Sequence, residues 1–152
     1  MTIEEKLRQM GLELPEPSTP VAAYVPTVRT GNLVFVSGQI PRDKGELRFR
    51  GHVGSDVSVE EGRAAARLCA LSSLAAIKRE IGDLARLRRV VKVTGFVSSS
   101  PGFTEQPKVL DGASLLLNEL FGDKGQHARA AVGVNELPLG VSVEIDMIVE
   151  VE

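Results

Sequence analysis

The segment Val141-Ser142-Val143-Glu144-Ile145-Asp146-Met147-Ile148-Val149-Glu150 alternates apolar and polar residues with a period of two. This is the pattern of a β-strand with one face buried. Val141, Val143, Ile145, Met147 and Val149 form one continuous apolar face, and Ser142, Glu144, Asp146, Ile148 and Glu150 lie on the other. A second strand precedes it across a Leu137-Pro138-Leu139-Gly140 turn. In that strand Ala128, Ala130, Val132 and Val134 share a face, and Arg129 shares the opposite one with Ala131 and Gly133. On this pattern one face of the pair belongs to the core, and Arg129 and Glu144 both point away from it. Ala131 and Gly133 then leave room for a ligand beside the guanidinium. A planar guanidinium suits a carboxylate, because its paired donors match the two oxygens. A neighbouring carboxylate can orient or deprotonate a water. The same spacing also fits a solvated strand face with ordinary surface charges.

The rest of the chain reads as mixed helix and strand. Thr2 and Glu5 form a capping box that opens a short helix to Met10, with Gly11 placed to end it. Pro15, Pro17 and Pro20 then make an extended linker. Ala23–Arg29 and Leu33–Gln39 read as strands around a Thr30-Gly31-Asn32 turn, the second apolar on both faces as a central strand would be. Residues 41–54 read as a loop, with Leu47–Arg50 as a short edge strand within it. Ser58 and Glu61 form another capping box. It opens the longest helix, whose apolar rows Ala64, Leu68, Leu71, Ala75 and Ala70, Leu74, Ile77, Ile81 run down to Gly82. Arg89–Ser98 is a strand with Val91, Val93 and Val97 on one side. A second long helix runs from Pro107 to Phe121 and is closed by Gly122.

This order predicts an α+β fold: a mixed β-sheet of about six strands with two long helices packed on one face, plus a short N-terminal helix. Residues 1–22 form the N-terminal helix and linker, and residues 23–152 form one domain. The uncovered sheet face is expected to carry Arg129, Glu144, Asp146 and Lys92 beside Ile148 and Phe96. A partner subunit commonly covers so mixed a surface, and a closed homo-oligomer is the usual solution.

Charge and composition bound the partners. A net charge of −2 gives no overall field to draw in nucleic acid or an anionic membrane. No apolar run approaches the roughly 20 residues needed to span a bilayer. The first residues lack the pattern of a signal peptide, and the single cysteine, Cys69, suits a reducing compartment, so the expected location is cytoplasmic. Cys69 sits within the long helix and reads as a buried structural thiol. No Cys/His cluster has metal-ligand spacing, and no glycine-rich phosphate loop occurs. Ser98-Ser99-Ser100-Pro101-Gly102 is a polar turn rather than a nucleophile elbow.

Tyr24-Val25 ahead of a strand, Leu33-Val34-Phe35-Val36-Ser37-Gly38-Gln39-Ile40-Pro41, the Arg129 strand running to Leu137-Pro138, and Val143-Glu144-Ile145 together resemble the YjgF/Rid (reactive intermediate deaminase) family. The likeness runs from about Tyr24 to Val151, and the extra N-terminal helix is similar to the endoribonuclease/chorismate-mutase-like branch. The resemblance implies a chorismate-mutase-like fold assembled as a homotrimer, with clefts between subunits and neither metal nor organic cofactor. It implies hydrolysis of 2-imino acids, or their enamine tautomers, to 2-oxo acids and ammonia. On the matching positions, Arg129 would hold the substrate carboxylate and Glu144 would position the attacking water. Tyr24 would line the cleft from the adjoining subunit, and Ser37 and Gly38 would present backbone groups to the ligand. Ala131 occupies the substrate-binding position where many members carry cysteine. An asparagine expected near the second helix has no clean counterpart, and Gln106 and Asp111 are both candidates to replace it.

Two other functions fit the same residues. One is a non-catalytic trimer that binds small carboxylates or metabolites through Arg129. The other is a ribonuclease, for which the basic run Arg86-Leu87-Arg88-Arg89 is the main support. Against the nuclease, His52 and His127 show no recognisable pairing, and one Tyr, five Phe and no Trp leave little for base stacking. Asp146, two residues after Glu144, can raise that glutamate's pKa by like-charge repulsion or pair with a cation of a neighbouring subunit.

Overall fold

The computed structural model describes residues 1–19 and 23–152. Of the linker read from the prolines, Pro20 lies outside the described residues. Helix α1 (Ile3–Gln9) is opened by the Thr2–Glu5 capping box, with each side chain bonded to the other residue's backbone N–H. Leu7 anchors the helix in the core, and Lys6 Nζ donates to the Leu120 carbonyl at 2.9 Å. The helical pattern and its cap therefore hold, and the helix docks on the second long helix.

The main sheet has five strands rather than six. They are β1 (Thr27–Thr30), β2 (Leu33–Gln39), β5 (Leu87–Ser98), β6 (Ala128–Val134) and β7 (Val143–Val151). Two further strands, β3 (Arg42–Asp43) and β4 (Glu46–Leu47), form a separate small hairpin. The hairpin stands where the sequence suggests a loop with an edge strand over Leu47–Arg50. Its turn needs left-handed backbone at Lys44 and Gly45, and Arg50 makes only an isolated bridge to Val141. The first strand begins at Thr27 instead of Ala23. The strand order is β1-β2-β7-β5-β6, antiparallel throughout except for the parallel β5–β6 pair.

Both long helices lie on one face of this sheet. Helix α2 (Val59–Ile81), opened by the Ser58–Glu61 capping box, lies over β7 and β2, and α3 (Gln106–Phe121) lies over β5 and β6. As the crossover between the two parallel strands, α3 completes a βαβ unit. The helices approach closely because α2 presents Gly62, Ala65, Ala66 and Ala70 to the interior, and because α3 has Gly112 against the Arg63 backbone. Val143, Ile145, Met147, Val149 and Val151 of β7 are all buried, as the alternation requires. In β5 it is Val90 that joins Val93 and Val97 in the core, while Val91 is only half-buried. The register against β7 shifts between Leu87 and Arg89 and again between Val90 and Lys92. These bulges reset the parity that the sequence alone suggests.

The other face of the sheet is left open. Through the register it carries Val28, Phe35, Ile148 and Lys92 in one row, Thr94 and Asp146 in another, and Phe96, Glu144 and Val132 in a third. Val28, Phe35 and Val132 are exposed apolar side chains on it. Arg129 is not on this face. It is opposite Val93, which is itself opposite Met147, so it shares the helix-covered side. Arg129 and Glu144 therefore project from opposite faces of the sheet. Among the described residues no helix is long and apolar enough to cross a membrane.

Candidate functional site

Two clusters hold the residues singled out by the sequence. The first surrounds Glu144. Between Val36↔Met147 and Gln39↔Ile145 the β2–β7 register shifts, giving β2 an extra residue at Ser37-Gly38. Such bulges re-aim neighbouring side chains. Here the Glu144 carboxylate lies over the Cα of Gly38, where a Cβ would collide with its Oε2. Only glycine permits that approach. Ser37 donates its hydroxyl to the Val25 carbonyl at 2.7 Å, and its N–H to the Pro26 carbonyl at 2.9 Å. These bonds clamp the segment carrying Tyr24, whose ring is exposed.

Electrostatics sets Glu144 apart. Burial raises its carboxyl above the ordinary glutamate value, and the charge of Asp146 adds to the rise. Asp146 is raised as well by burial, an effect that the Thr94 hydroxyl and the Lys92 ammonium partly offset. The repulsion expected from the sequence thus acts in the expected direction, second to burial, and within the chain Asp146 has a hydroxyl and a cation beside it. Beneath the sheet, burial and Glu144's charge push the Cys69 thiol up. Its Sγ lies 3.7 Å from the Val143 carbonyl, as suits a structural thiol.

The second cluster surrounds Arg129 at the edge of the sheet, under α3. Arg129 Nη1 donates to Asp111 Oδ1 at 2.8 Å and to Ser114 Oγ at 3.1 Å. Ser114 Oγ is 2.9 Å from His127 Nε2, and His127 Nδ1 is 2.6 Å from the Gly125 carbonyl. A carbonyl only accepts, so His127 Nδ1–H donates to Gly125, and Nε2 pairs with the Ser114 hydroxyl. The row runs from Arg129 through Ser114 and His127 to Gly125, each hydrogen-bonded to the next. Ala131 packs against the core, and the space beside Gly133 is filled by the Gln106 amide, which donates to Ser99 Oγ at 3.2 Å and to the Phe103 carbonyl at 2.9 Å. Beside Gly133, at least, the space is taken by the first residue of α3. Of the two candidates for the missing asparagine, Asp111 touches Arg129 and Gln106 does not.

Nothing in the sequence pattern singles out Ser114. Its approach to His127 spans a helix and a turn, and the only hint is that His127 lies two residues before Arg129, hence on the same strand face. His52 is engaged elsewhere: its Nε2 is 2.8 Å from the Asn135 carbonyl and 3.2 Å from Glu136 Oε1. That carbonyl raises its pKa, with Glu136 and Asp56 adding to the rise and burial opposing it. In the basic run, Arg86 Nη1 donates to the Ile81 carbonyl at the end of α2 at 2.8 Å, which gives it a structural task. Among the described residues no group of three His, Cys, Asp or Glu side chains converges to hold a metal.

Residues 4–151 match the family described as "YjgF/chorismate_mutase-like, putative endoribonuclease". Protein TCP17 of Trypanosoma cruzi is 44% identical over 149 residues, spanning 97% of this chain and 93% of that protein. A 2-iminobutanoate/2-iminopropanoate deaminase of Dermatophagoides farinae is 31% identical over 133 residues, 88% of this chain and 89% of its own. Among solved structures, the protein Atu1372 of Agrobacterium tumefaciens, of unknown function, superposes with a TM-score of 0.92 at 46% identity, over 99% of this chain and 92% of that one. Fold, extent and these relatives agree, and the chain belongs to the YjgF/Rid family.

Proposed function

We propose that the protein hydrolyses 2-imino acids or their enamine tautomers to 2-oxo acids and ammonia, in clefts where two copies of the chain meet. The observation that carries this reading is Glu144, a half-buried carboxylate held above the ordinary glutamate value against the bare Cα of Gly38. A base poised in this way can take a proton from water near neutral pH. The relatives named 2-iminobutanoate/2-iminopropanoate deaminase give the reaction class.

The steps need few groups because a protonated imine carbon is already electrophilic. Arg129 holds the carboxylate and fixes the orientation of the substrate. Glu144 accepts a proton as water oxygen bonds to the imine carbon, and the C=N π pair moves onto nitrogen. The same carboxyl then returns the proton to the amine nitrogen. The C–N bond breaks, ammonia leaves, and the hydroxyl passes its proton to the Glu144 carboxylate, free again, as the C=O forms. Arg129 and Glu144 project from opposite faces of one sheet, so one chain's arginine serves a neighbour's glutamate. A homotrimer, with the apolar face around Phe35 and Val132 turned inward, supplies that neighbour and brings Tyr24 to the cleft.

The test is hydrolysis of freshly generated 2-imino acids in competition with a semicarbazide trap. The parent is expected to accelerate hydrolysis, and Arg129→Ala and Glu144→Ala are expected to abolish the acceleration. No acceleration for any imine overturns the enzyme. If Glu144→Ala and the parent then bind 2-oxo acids equally, the clefts are carboxylate receptors.

A further inference from the structure

We infer that Asp111 makes this site selective for ligands that carry a cationic nitrogen beside their carboxylate, so that it favours a protonated 2-imino acid over the 2-oxo acid product. The inference rests on the reading of Arg129 as the carboxylate anchor. A guanidinium has five N–H donors, two on each Nη and one on Nε. Both Nη1 donors are committed to Asp111 Oδ1 and Ser114 Oγ. Nε and Nη2 make no hydrogen bond to the described residues, and this pair forms the planar fork that fits a carboxylate.

Asp111 changes what that fork will accept. Its side chain is 43% exposed, only Oδ1 is engaged, and Oδ2 makes no hydrogen bond to the described residues. The Arg129–Asp111 pair is neutral as a unit. A plain anion gains less there than beside a lone arginine, and it meets the Asp111 charge as it docks. A ligand with an adjacent ammonium or iminium places its negative end on the fork and its N–H donors on Oδ2. Each end then has a partner of opposite sign. Hydrolysis removes the nitrogen, and Asp111 loses its contact at the step that forms product.

Asp111 is also not needed as a prop. Ser114 accepts from the same Nη1, and Ser114 is itself bonded to His127, which is bonded to Gly125. Arg129 keeps this anchor when Asp111 loses its charge, so charge reading and positioning can be separated by experiment.

The experiment is calorimetric titration with L-2-aminobutanoate, a stable zwitterion, and with 2-oxobutanoate, for the parent, Asp111→Asn, Asp111→Glu and Arg129→Ala. The parent should bind the amino acid about tenfold more tightly than the oxo acid, the scale of one charge-assisted hydrogen bond. Asp111→Asn should weaken the amino acid by about that factor and leave the oxo acid equal or tighter, and Asp111→Glu should restore the preference. Equal weakening of both ligands in Asp111→Asn, or no preference in the parent, overturns the role of Asp111 while Arg129 remains the anchor. Parent-like binding of both ligands by Arg129→Ala, or binding of neither by the parent, overturns the site reading as well.

Discussion

At the scale of single residues, Glu144 is held in a state that the folded chain would rather protonate. Burial and Asp146 raise its carboxyl, so the folded state binds the proton more tightly than the unfolded state does. Its stabilising contribution is therefore fully present below the unfolded value and is lost as pH rises through the raised folded value. Glu144→Gln removes the charge in a similar shape. At pH 7 it should melt about 1–4 °C above the parent, and the difference should vanish as pH falls toward about 4. Thermal scans across that range read the effect, and a Gln variant that melts below the parent at pH 7 would contradict the burial of the charge. For the proposed turnover the sign is opposite, because a general base must be deprotonated. The acid limb of kcat/KM should lie above the ordinary glutamate value.

Elements carry most of what the sequence makes legible. Both capping boxes are readable because a Thr or Ser followed three residues later by Glu satisfies two helix-end donors reciprocally, and both form. β7 is readable because Val143, Ile145 and Met147 leave one possible buried face. β6 is not, for a physical reason. Its more apolar face, Ala128, Ala130, Val132 and Val134, is the one left open, so hydrophobicity points the wrong way, and a charge at Arg129 is read as pointing to solvent. α3 decides the matter by offering Asp111 and Ser114 beneath the strand edge. Parity in β5 is hidden by bulges that leave no residue signature at Val90 and Val91. The α2–α3 packing turns on Gly112, where any side chain would enter the Arg63 backbone. Gly112→Ala should force the helices apart and lower stability by about 1–3 kcal/mol in denaturant unfolding. An unchanged midpoint would show the interface to be looser than its geometry.

For the whole molecule, Arg129 and Glu144 lie on opposite faces of the sheet, and the proposed cleft accordingly draws on two chains. Arg129→Ala and Glu144→Ala, each inactive alone, should therefore recover activity when unfolded together and reassembled. An equal mixture should give about a quarter of the parent rate, the chance that both contributing chains are intact at a given cleft. No recovery would mean that both groups act within one chain. The halves also differ in where they lie along the chain. Asp111, Ser114, His127 and Arg129 all fall within the β5–α3–β6 unit, residues 87–134, while Gly38 and Glu144 come from strands on either side of that stretch. Heredity can work on the two separately. On the proposed roles, drift within one uninterrupted stretch changes which ligand is admitted while Gly38 and Glu144 stay as they were, and a descendant that inherits a replaced central stretch acquires a new appetite without having to reinvent its chemistry.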